Sequence, residues 1–392
     1  MITVEEAKSI LIENSFKLNK TRNKKIKDSL NYFLAEDIFS PLDLPPFNQS
    51  NVDGYAVNFS GAFNWKVIDE IKAGDKAKLK LKESQAARVF TGAVVPEGAD
   101  CVIMQERIEV DRNNISTNNF EFSQGEFIRL KGSQIKKREL AILKNILITP
   151  AVIGFLSTLG IEKITVYKKP VINLIITGNE LQTPGKKLKS GKIYDSNSFI
   201  LNSALMQMNL KPNKFFFLKD NKNKLKKTVS ECFDDSDVIL ISGGVSVGKY
   251  DFVNEVLEEL NAEKLFYKVS QRPGKPLYFG KKHGTYIFGL PGNPASVLTC
   301  FYEYVYPLLR KLQGYENYFL NQINLPLLKD LSKHFKLSNF LKAKIKANGV
   351  ESLDGQPSYI IKSFAEADCF IYLPLETEFV KEGETVEVHL FP

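Results

Sequence analysis

Four apolar residues in a row, Val238 to Ile241, run straight into Ser242-Gly243-Gly244. An unbroken apolar run closed by glycine predicts a strand buried on both faces. Beyond the glycines, Phe252, Val253, Val256, Leu257 and Leu260 recur at helical spacing. The unit reads as strand, glycine-rich loop, acidic residue (Asp251), helix. The same alternation extends to either side. Strands are expected at 171–177, 214–218, 237–242 and 264–269, and helices at 196–209, 223–233 and 251–260. A hairpin-like pair, 276–280 and 285–289, leads through Pro291-Gly292-Asn293-Pro294 into a long helix over 295–312, ended by Gly314. Alternation of this kind predicts a doubly wound, mostly parallel sheet.

Upstream the period differs. Residues 3–18 read as an amphipathic helix, with Thr3 and Glu6 spaced as a capping box. A lysine-rich loop and a strand over 37–44 follow. At Pro45-Pro46-Phe47 the texture changes to a polar loop, and Asp53-Gly54 gives a turn signal before a strand. Short β-like runs recur at 65–68, 87–90, 101–104 and 127–130, which suggests a small β domain. Thr149 and Pro150 are placed as N-cap and first residue of a helix, and Gly160 as its left-handed end. After 315 the chain returns to short strands. The fold class expected is multi-domain α/β plus β: a central doubly wound, mostly parallel sheet domain, an inserted small β domain and a C-terminal β-barrel-like domain. The boundaries expected are 1–44 with 140–167 as an N-terminal linking region with helices, 45–139 as the inserted β domain, 168–314 as the α/β domain and 315–392 as the C-terminal β domain.

At 392 residues the chain has room for two to four domains, and 43% hydrophobic with 25% charged residues is ordinary for soluble protein. The longest uncharged apolar stretch, 145–161, contains Pro150 and falls short of the roughly 20 residues a membrane span needs. The N-terminus lacks a signal-peptide pattern. Cys101, Cys232, Cys300 and Cys369 are scattered without a CxxC, which argues for a reducing compartment and against disulfides or zinc. A cytoplasmic protein is therefore expected. The formal charge of +8 favours anionic ligands, and no nucleic-acid module accompanies it. His283, His334 and His389 lie beside no plausible nucleophile, so a histidine-based triad is not expected.

Ligands of open α/β sheets bind beyond the carboxyl ends of the strands. Glu180, Asp220 and Asp251 each follow one of these strands and should converge on one edge. Carboxylates gathered beside phosphate-binding loops point to Mg2+, which takes oxygen ligands and bridges to phosphates. Ser242, Gly243, Gly244, Ser246 and Gly248 form a loop that can approach a phosphate closely. Asp195, Ser196 and Ser198 lie at a helix start, where Asp195 and Ser196 are N-cap candidates. Pro291, Gly292, Asn293 and Pro294 follow the last hairpin, and Arg272 and Lys275 sit on a proline-stiffened loop suited to an oxyanion. The spacing matches neither the P-loop nor the dinucleotide fingerprint.

Taken together, PPFNQSNVDGYAV (45–57), RVFTGAVVPEGADCVIMQE (88–106), ITGNEL (176–181), GKIYDSNS (191–198), SGGVSVGKYDF (242–252), RPGKP (272–276) and GLPGNPASV (289–297) resemble the MoeA family. These are the molybdenum-inserting enzymes of molybdenum cofactor synthesis, and they include the E domain of gephyrin. The resemblance implies a homodimer with its active site at the subunit interface. It implies a reaction in which adenylylated molybdopterin and molybdate give molybdenum cofactor and AMP, with magnesium or a similar divalent ion. It implies that Asp53 and Thr91 of one subunit face Glu180, Asp220 and Asp251 of the other as catalytic residues. The 191–198, 242–248 and 291–294 segments would bind the pterin substrate. Molybdate would meet Arg272, Lys275, Pro276, Lys342 and Ser358.

Four positions depart from the family's usual pattern. Asn179 and Asn48 stand where aspartate is usual, Lys249 where an acidic residue is usual, and Lys342 where arginine is usual. Lysine at 342 removes a bidentate fork. Two other readings share the central domain: a molybdopterin adenylyltransferase-like enzyme and a non-enzymatic, gephyrin-like scaffold. The large region from Pro45 to Glu106 argues against the first, and retention of Asp53, Glu180, Asp220 and Asp251 against the second. Contact with other molybdenum cofactor enzymes is a further expectation, with no nucleic acid and no membrane as partners.

Overall fold

The structure is a computed structural model describing residues 1–392 apart from 59, 60, 62, 77, 118–121, 245–251, 334 and 335. Two compact units divide the chain: Met1–Arg22 with Tyr167–Pro392, and Asn23–Val166.

The larger unit is built on a six-stranded sheet. Its order is Pro212–Leu218, Ile172–Thr177, Val238–Ser242, Thr285–Leu290, Tyr278–Lys282, Glu263–Tyr267. The first four are parallel, and Tyr278–Lys282 runs antiparallel to both its neighbours. Every residue of Ile172–Thr177, Val238–Ser242 and Thr285–Leu290 is buried, as strands covered on both faces require. The register pairs Thr177 with Leu218, Ile176 with Ser242, and Ser242 with Leu290. The carboxyl ends of all four parallel strands therefore share one edge.

A second sheet follows in the order Gln271–Arg272, Ser338–Lys346, Cys369–Leu373, Thr385–Leu390, Gln322–Pro326, with Gly349–Ser352 paired to Ser338–Lys346. A bridge between Leu327, just past Gln322–Pro326, and Val350 of Gly349–Ser352 closes the sheet into a partly closed barrel. Val350, Cys369, Ile371 and Val388 fill the interior.

Three elements differ from expectation, each for a local reason. The N-terminal helix spans Val4–Glu13, with the Thr3–Glu6 capping box formed. It stops before residue 18 because Asn14 turns its side-chain amide back onto the Ile10 carbonyl at 2.9 Å. The strand expected over 37–44 reduces to Ile38–Phe39, since Pro41 lacks the N–H a ladder needs. The long helix over 295–312 is three segments: Pro294–Cys300, a π turn at Phe301–Val305, and Tyr306–Gln313. Pro307 cannot donate to the Glu303 carbonyl, and the wider turn sits where that bond is missing.

The smaller unit carries an antiparallel-rich sheet in the order Cys101–Met104, Gly54–Val57, Gln85–Val89, Asn64–Ile71, Asn114–Ser116, Glu109–Asp111. Ala56, Ala87, Val89 and Val102 pack on one face, and Tyr55, Trp65 and Ile103 on the other. The helix Pro150–Thr158 starts from Thr149, whose hydroxyl accepts from Val152 N–H, and ends at Gly160 with φ +70°.

The π turn buries Glu303 at 2% exposure. Lys8 donates to Glu303 Oε2 at 2.6 Å, and His389 Nδ1 lies 2.8 Å from Oε1. His389 Nε2 faces Glu387 at 2.7 Å. With a carboxylate on each ring nitrogen, His389 is held as the imidazolium. Burial alone would lower the His389 pKa, but Glu303 and Glu387 raise it above its ordinary 6.5. Burial likewise opposes the Glu303 charge, yet His389 and Lys8 bring its pKa down to about 2 from 4.5. Glu303 thus contributes stability that is present above pH 4.5 and is lost as pH falls toward 2. His389 contributes stability that is complete below pH 6.5 and is lost as pH rises through its raised value. Glu303→Gln should flatten the acid limb, reduce the alkaline one and cost about 3 kcal/mol at pH 5.5, because it removes the counter-charge of partly buried Lys8 and one of the two carboxylates on buried His389. Urea unfolding of wild type and variant at pH 3, 5.5 and 8 measures this; parallel pH profiles would refute it.

Candidate active site

The shared strand edge presents four loops. After Ile172–Thr177 come Gly178, Asn179 and Glu180; after Pro212–Leu218 comes Asp220; after Val238–Ser242 come Gly243 and Gly244; after Thr285–Leu290 come Pro291 to Pro294. Gly243 has φ +90°, and a Cβ there would lie 2.2 Å from the Thr177 carbonyl oxygen. Only glycine lets that loop cross the first strand so closely. Ser246, Gly248 and Asp251 lie outside the described residues.

Neither described carboxylate caps a helix. The helix Lys222–Cys232 is capped by Asn221, whose side chain accepts from Lys224 N–H at 2.9 Å. Asp220 instead accepts from Asn179 N–H at 3.1 Å, and Asn179 Oδ1 accepts from Asp220 N–H at 3.3 Å. This reciprocal pair ties two neighbouring strand ends together. Glu180 is exposed, and no hydrogen bond or ion pair reaches its carboxylate among the described residues. Two oxygen-donor side chains with spare acceptor capacity fit a hard cation such as Mg2+. No group of three metal-ligating residues occurs among the described residues, and Asp251, the third of the expected set, falls outside them.

The 191–198 segment decides between the two cap candidates. Ser196 occupies the N-cap position but its hydroxyl makes no capping bond. Asp195, 4% exposed, caps the helix instead, accepting from Ser198 N–H at 3.1 Å and from the Ser198 hydroxyl. Asp195 and Ser198 are thus engaged with each other. The residue missed by sequence reasoning is their neighbour Asn197. Its Nδ2 donates to Ser242 Oγ at 3.0 Å and to the Gly292 carbonyl at 2.8 Å, which fixes the amide orientation. Its Oδ1 is buried without a partner among the described residues, as is the Thr177 hydroxyl. Asn197 lay inside a quoted motif, and the signal available was an amide at the start of a helix facing two glycine loops.

A cavity of about 530 Å³ lies between the two sheets of the larger unit, lined by Arg272, Lys275, Pro276, Asn293, Ser358 and Tyr359 among others. Its floor is set by Gln271, which is fully buried. Gln271 Nε2 donates to the Pro273 carbonyl at 3.1 Å, and Gln271 Oε1 accepts from the Tyr304 hydroxyl. Arg272 pairs in register with Asn339 of the barrel. Arg272 and Lys275 are exposed, and Lys275 makes no side-chain hydrogen bond or ion pair among the described residues. Asn293 Nδ2 donates to Ser358 Oγ at 2.8 Å across the cavity wall.

Lys342 does not reach this cavity, contrary to expectation. It is 1% exposed, and its ammonium donates to the carbonyls of Gly355 at 2.6 Å and Ile360 at 3.0 Å. A larger cavity, about 730 Å³, is lined by Tyr306, Arg310 and Phe319 among others and holds none of the expected site residues. In the smaller unit, Asp53 Oδ1 accepts from Thr91 N–H at 2.7 Å and from the Thr91 hydroxyl at 2.8 Å. Those bonds, the backbone one first, hold the Asp53 carboxyl below its ordinary pKa.

Comparison with known proteins matches this geometry to a family. The model of the MoeA N-terminal region (domain I and II) matches residues 2–160. A probable molybdopterin binding domain matches 173–311, and the MoeA C-terminal region (domain IV) matches 324–391. The chain is 32% identical over 400 residues to the molybdopterin molybdenumtransferase of Haemophilus influenzae, covering 100% of this chain and 99% of that one. A molybdopterin molybdenumtransferase from Staphylococcus aureus is 33% identical over 377 residues, covering 93% of this chain and 90% of that protein. A solved structure of the molybdopterin biosynthesis MoeA protein from Pyrococcus horikoshii superposes with TM-score 0.84 at 33% identity, covering 100% of this chain and 99% of the other.

The loop 271–276 has one backbone requirement that a substitution can test. Gly274 has φ +93°, and a Cβ there would fall 2.5 Å from Cys300 Sγ and 2.9 Å from Gln271 Nε2. Gly274→Ala should cost about 1–3 kcal/mol of stability through this overpacking, read as a lowered urea midpoint. An unchanged midpoint would show that the loop yields freely and that Gln271 does not fix it.

Proposed function

The chain belongs to the MoeA family of molybdopterin molybdenumtransferases, and from that membership we propose that it transfers molybdenum from molybdate to adenylylated molybdopterin with release of AMP. It is an enzyme of molybdenum cofactor biosynthesis. The observation that carries the proposed reaction is the pairing of two features on one unit. A cationic cavity holds Arg272 and Lys275, and a strand edge beside it bears Glu180 and Asp220.

Arg272 and Lys275 supply positive charge for the molybdate oxyanion, with the Ser358 hydroxyl as a neutral partner. The 191–198, 242–248 and 291–294 segments take the adenylylated pterin. Asn197 Oδ1, whose own amide donors are both used, offers an acceptor for a ligand N–H or O–H group. Glu180, Asp220 and Asp251 would hold Mg2+, which when bound polarises the phosphoanhydride. Glu180 presents an exposed carboxylate for that purpose, and Asn179 orients Asp220. The dithiolene sulfurs of the pterin are the acceptors of molybdenum, so no protein nucleophile is required. Asp53 and Thr91 act from a second subunit of a homodimer, in a cytoplasmic setting. Thr91 keeps Asp53 ionised, so Asp53 acts as an anion and not as a proton donor.

The test is AMP release from adenylylated molybdopterin, with and without molybdate. Wild type should release AMP only when molybdate and a divalent cation are present. Glu180→Gln should slow turnover at least about tenfold, roughly 1.4 kcal/mol of barrier, with the loss greatest at low magnesium. Lys275→Ala should raise the molybdate requirement and leave pterin binding by calorimetry nearly unchanged. AMP release independent of molybdate in wild type would reject the reaction. Full turnover by Glu180→Gln at all magnesium concentrations would reject the metal site.

A further inference from the structure

Lys342 is a buried cation with no carboxylate partner. It lies in the barrel strand Ser338–Lys346, and among the described residues no ion pair reaches it. Two carbonyl oxygens, those of Gly355 and Ile360, and the ring of Phe364 at 5.6 Å are what its ammonium meets. Burying an ammonium is costly unless its donors are satisfied. Its place in the core therefore depends on residues 353–361 lying over it. The dependence is mutual, because the ammonium bonds the segment at two carbonyls five residues apart. Gln356 is stitched to the same lysine: Lys342 N–H donates to Gln356 Oε1 at 3.0 Å, and Gln356 Nε2 donates to the Lys342 carbonyl at 2.8 Å. Gly355 has φ +75°, and its carbonyl also accepts from the Ser363 hydroxyl at 2.8 Å.

The far side of the same segment is the cavity wall. Pro357, Ser358 and Tyr359 line the cavity. The Ser358 carbonyl accepts from Ala295 N–H at 3.2 Å and its hydroxyl from Asn293 at 2.8 Å. We propose that Lys342 is a positioning residue: its ammonium latches the 353–361 segment from beneath and so holds Ser358 against the oxyanion cavity. The inference rests on the proposed oxyanion role of that cavity. It gives Lys342 a task distinct from touching the anion. Burial pushes the Lys342 ammonium down to about 8, so the two carbonyls offset only part of the cost of taking it out of water.

The test is hydrogen–deuterium exchange of the full chain without ligand, alongside steady-state kinetics. Lys342→Met, close in length and apolar, should speed exchange across 353–361 at least about tenfold while the strand Cys369–Leu373 stays protected. The molybdate KM should rise at least about tenfold, with the KM for adenylylated pterin within about twofold of wild type. Lys342→Arg keeps a cationic donor and should retain the slow exchange. Should Lys342→Met fail to fold, Lys342→Gln is read in the same way. Unchanged exchange in the ligand-free variant together with weakened molybdate would overturn the latch and make Lys342 an anion ligand. Faster exchange with unaltered molybdate KM would overturn the link between the segment and the cavity. If wild type itself shows no response to molybdate, the proposed function falls, and the exchange arm still decides whether Lys342 holds the segment.

Discussion

One buried side chain, Gln271, joins the two sheets on which the larger unit depends. It leaves the α/β sheet beyond Glu263–Tyr267 and pairs in parallel with Ser338 of the barrel. Ser338 N–H donates to the Ser270 carbonyl at 2.9 Å, so the crossing is held by backbone on both sides. A fully buried amide must satisfy both ends. Gln271 does so inward to the Tyr304 hydroxyl and forward to the carbonyls of its own loop. The loop that follows then presents Arg272 and Lys275 as a consequence of a buried polar requirement.

The same seam explains why the helix beside it is not a regular one. Tyr304 and Glu303 both sit in the π turn, and both point polar groups at neighbouring elements. Tyr304 serves Gln271, while Glu303 serves His389 of the barrel and Lys8 of the N-terminal helix. Around these bonds the apolar core is continuous. Val4 and Leu11 pack in one cluster with Leu174, Phe288, Phe301, Phe340 and Phe370. The α/β sheet and barrel share this core, which gives the cavity between them fixed walls. Interiors packed in this way resist small displacements, and recognition of a small anion needs that rigidity more than it needs many contacts.

Much of this was legible from pattern alone. Apolar runs ending in glycine placed Val238–Ser242 and its neighbours, because strands buried on both faces leave no other pattern. Convergence of Asn179, Asp220, Gly243 and Gly292 on one edge followed from topology, since parallel strands put their following loops together. Long-range roles were not legible. Nothing local to Lys342 shows that its carbonyl partners lie 13 and 18 positions later, and a lysine in a strand pattern reads as surface or ligand. Asn197 was hidden similarly, because its partners Ser242 and Gly292 come from two other loops. At 195–198 the sequence offered both Asp195 and Ser196 as caps, because aspartate and serine are near-equal caps, and only geometry selects Asp195. The Glu303–His389 pair joins residues 86 apart and has no periodic signature at all.

The cavity bounded by Arg272, Lys275 and Ser358 is the proposed receptor for molybdate. Molybdenum scatters anomalously near its absorption edge, so crystals soaked in molybdate can place the metal directly. One dominant anomalous peak is expected inside that cavity, within hydrogen-bonding reach of Lys275 and the Ser358 hydroxyl through its oxygens, with Lys342 still bonded to Gly355 and Ile360. A dominant peak elsewhere, or in contact with the Lys342 ammonium after its release from those carbonyls, would contradict it.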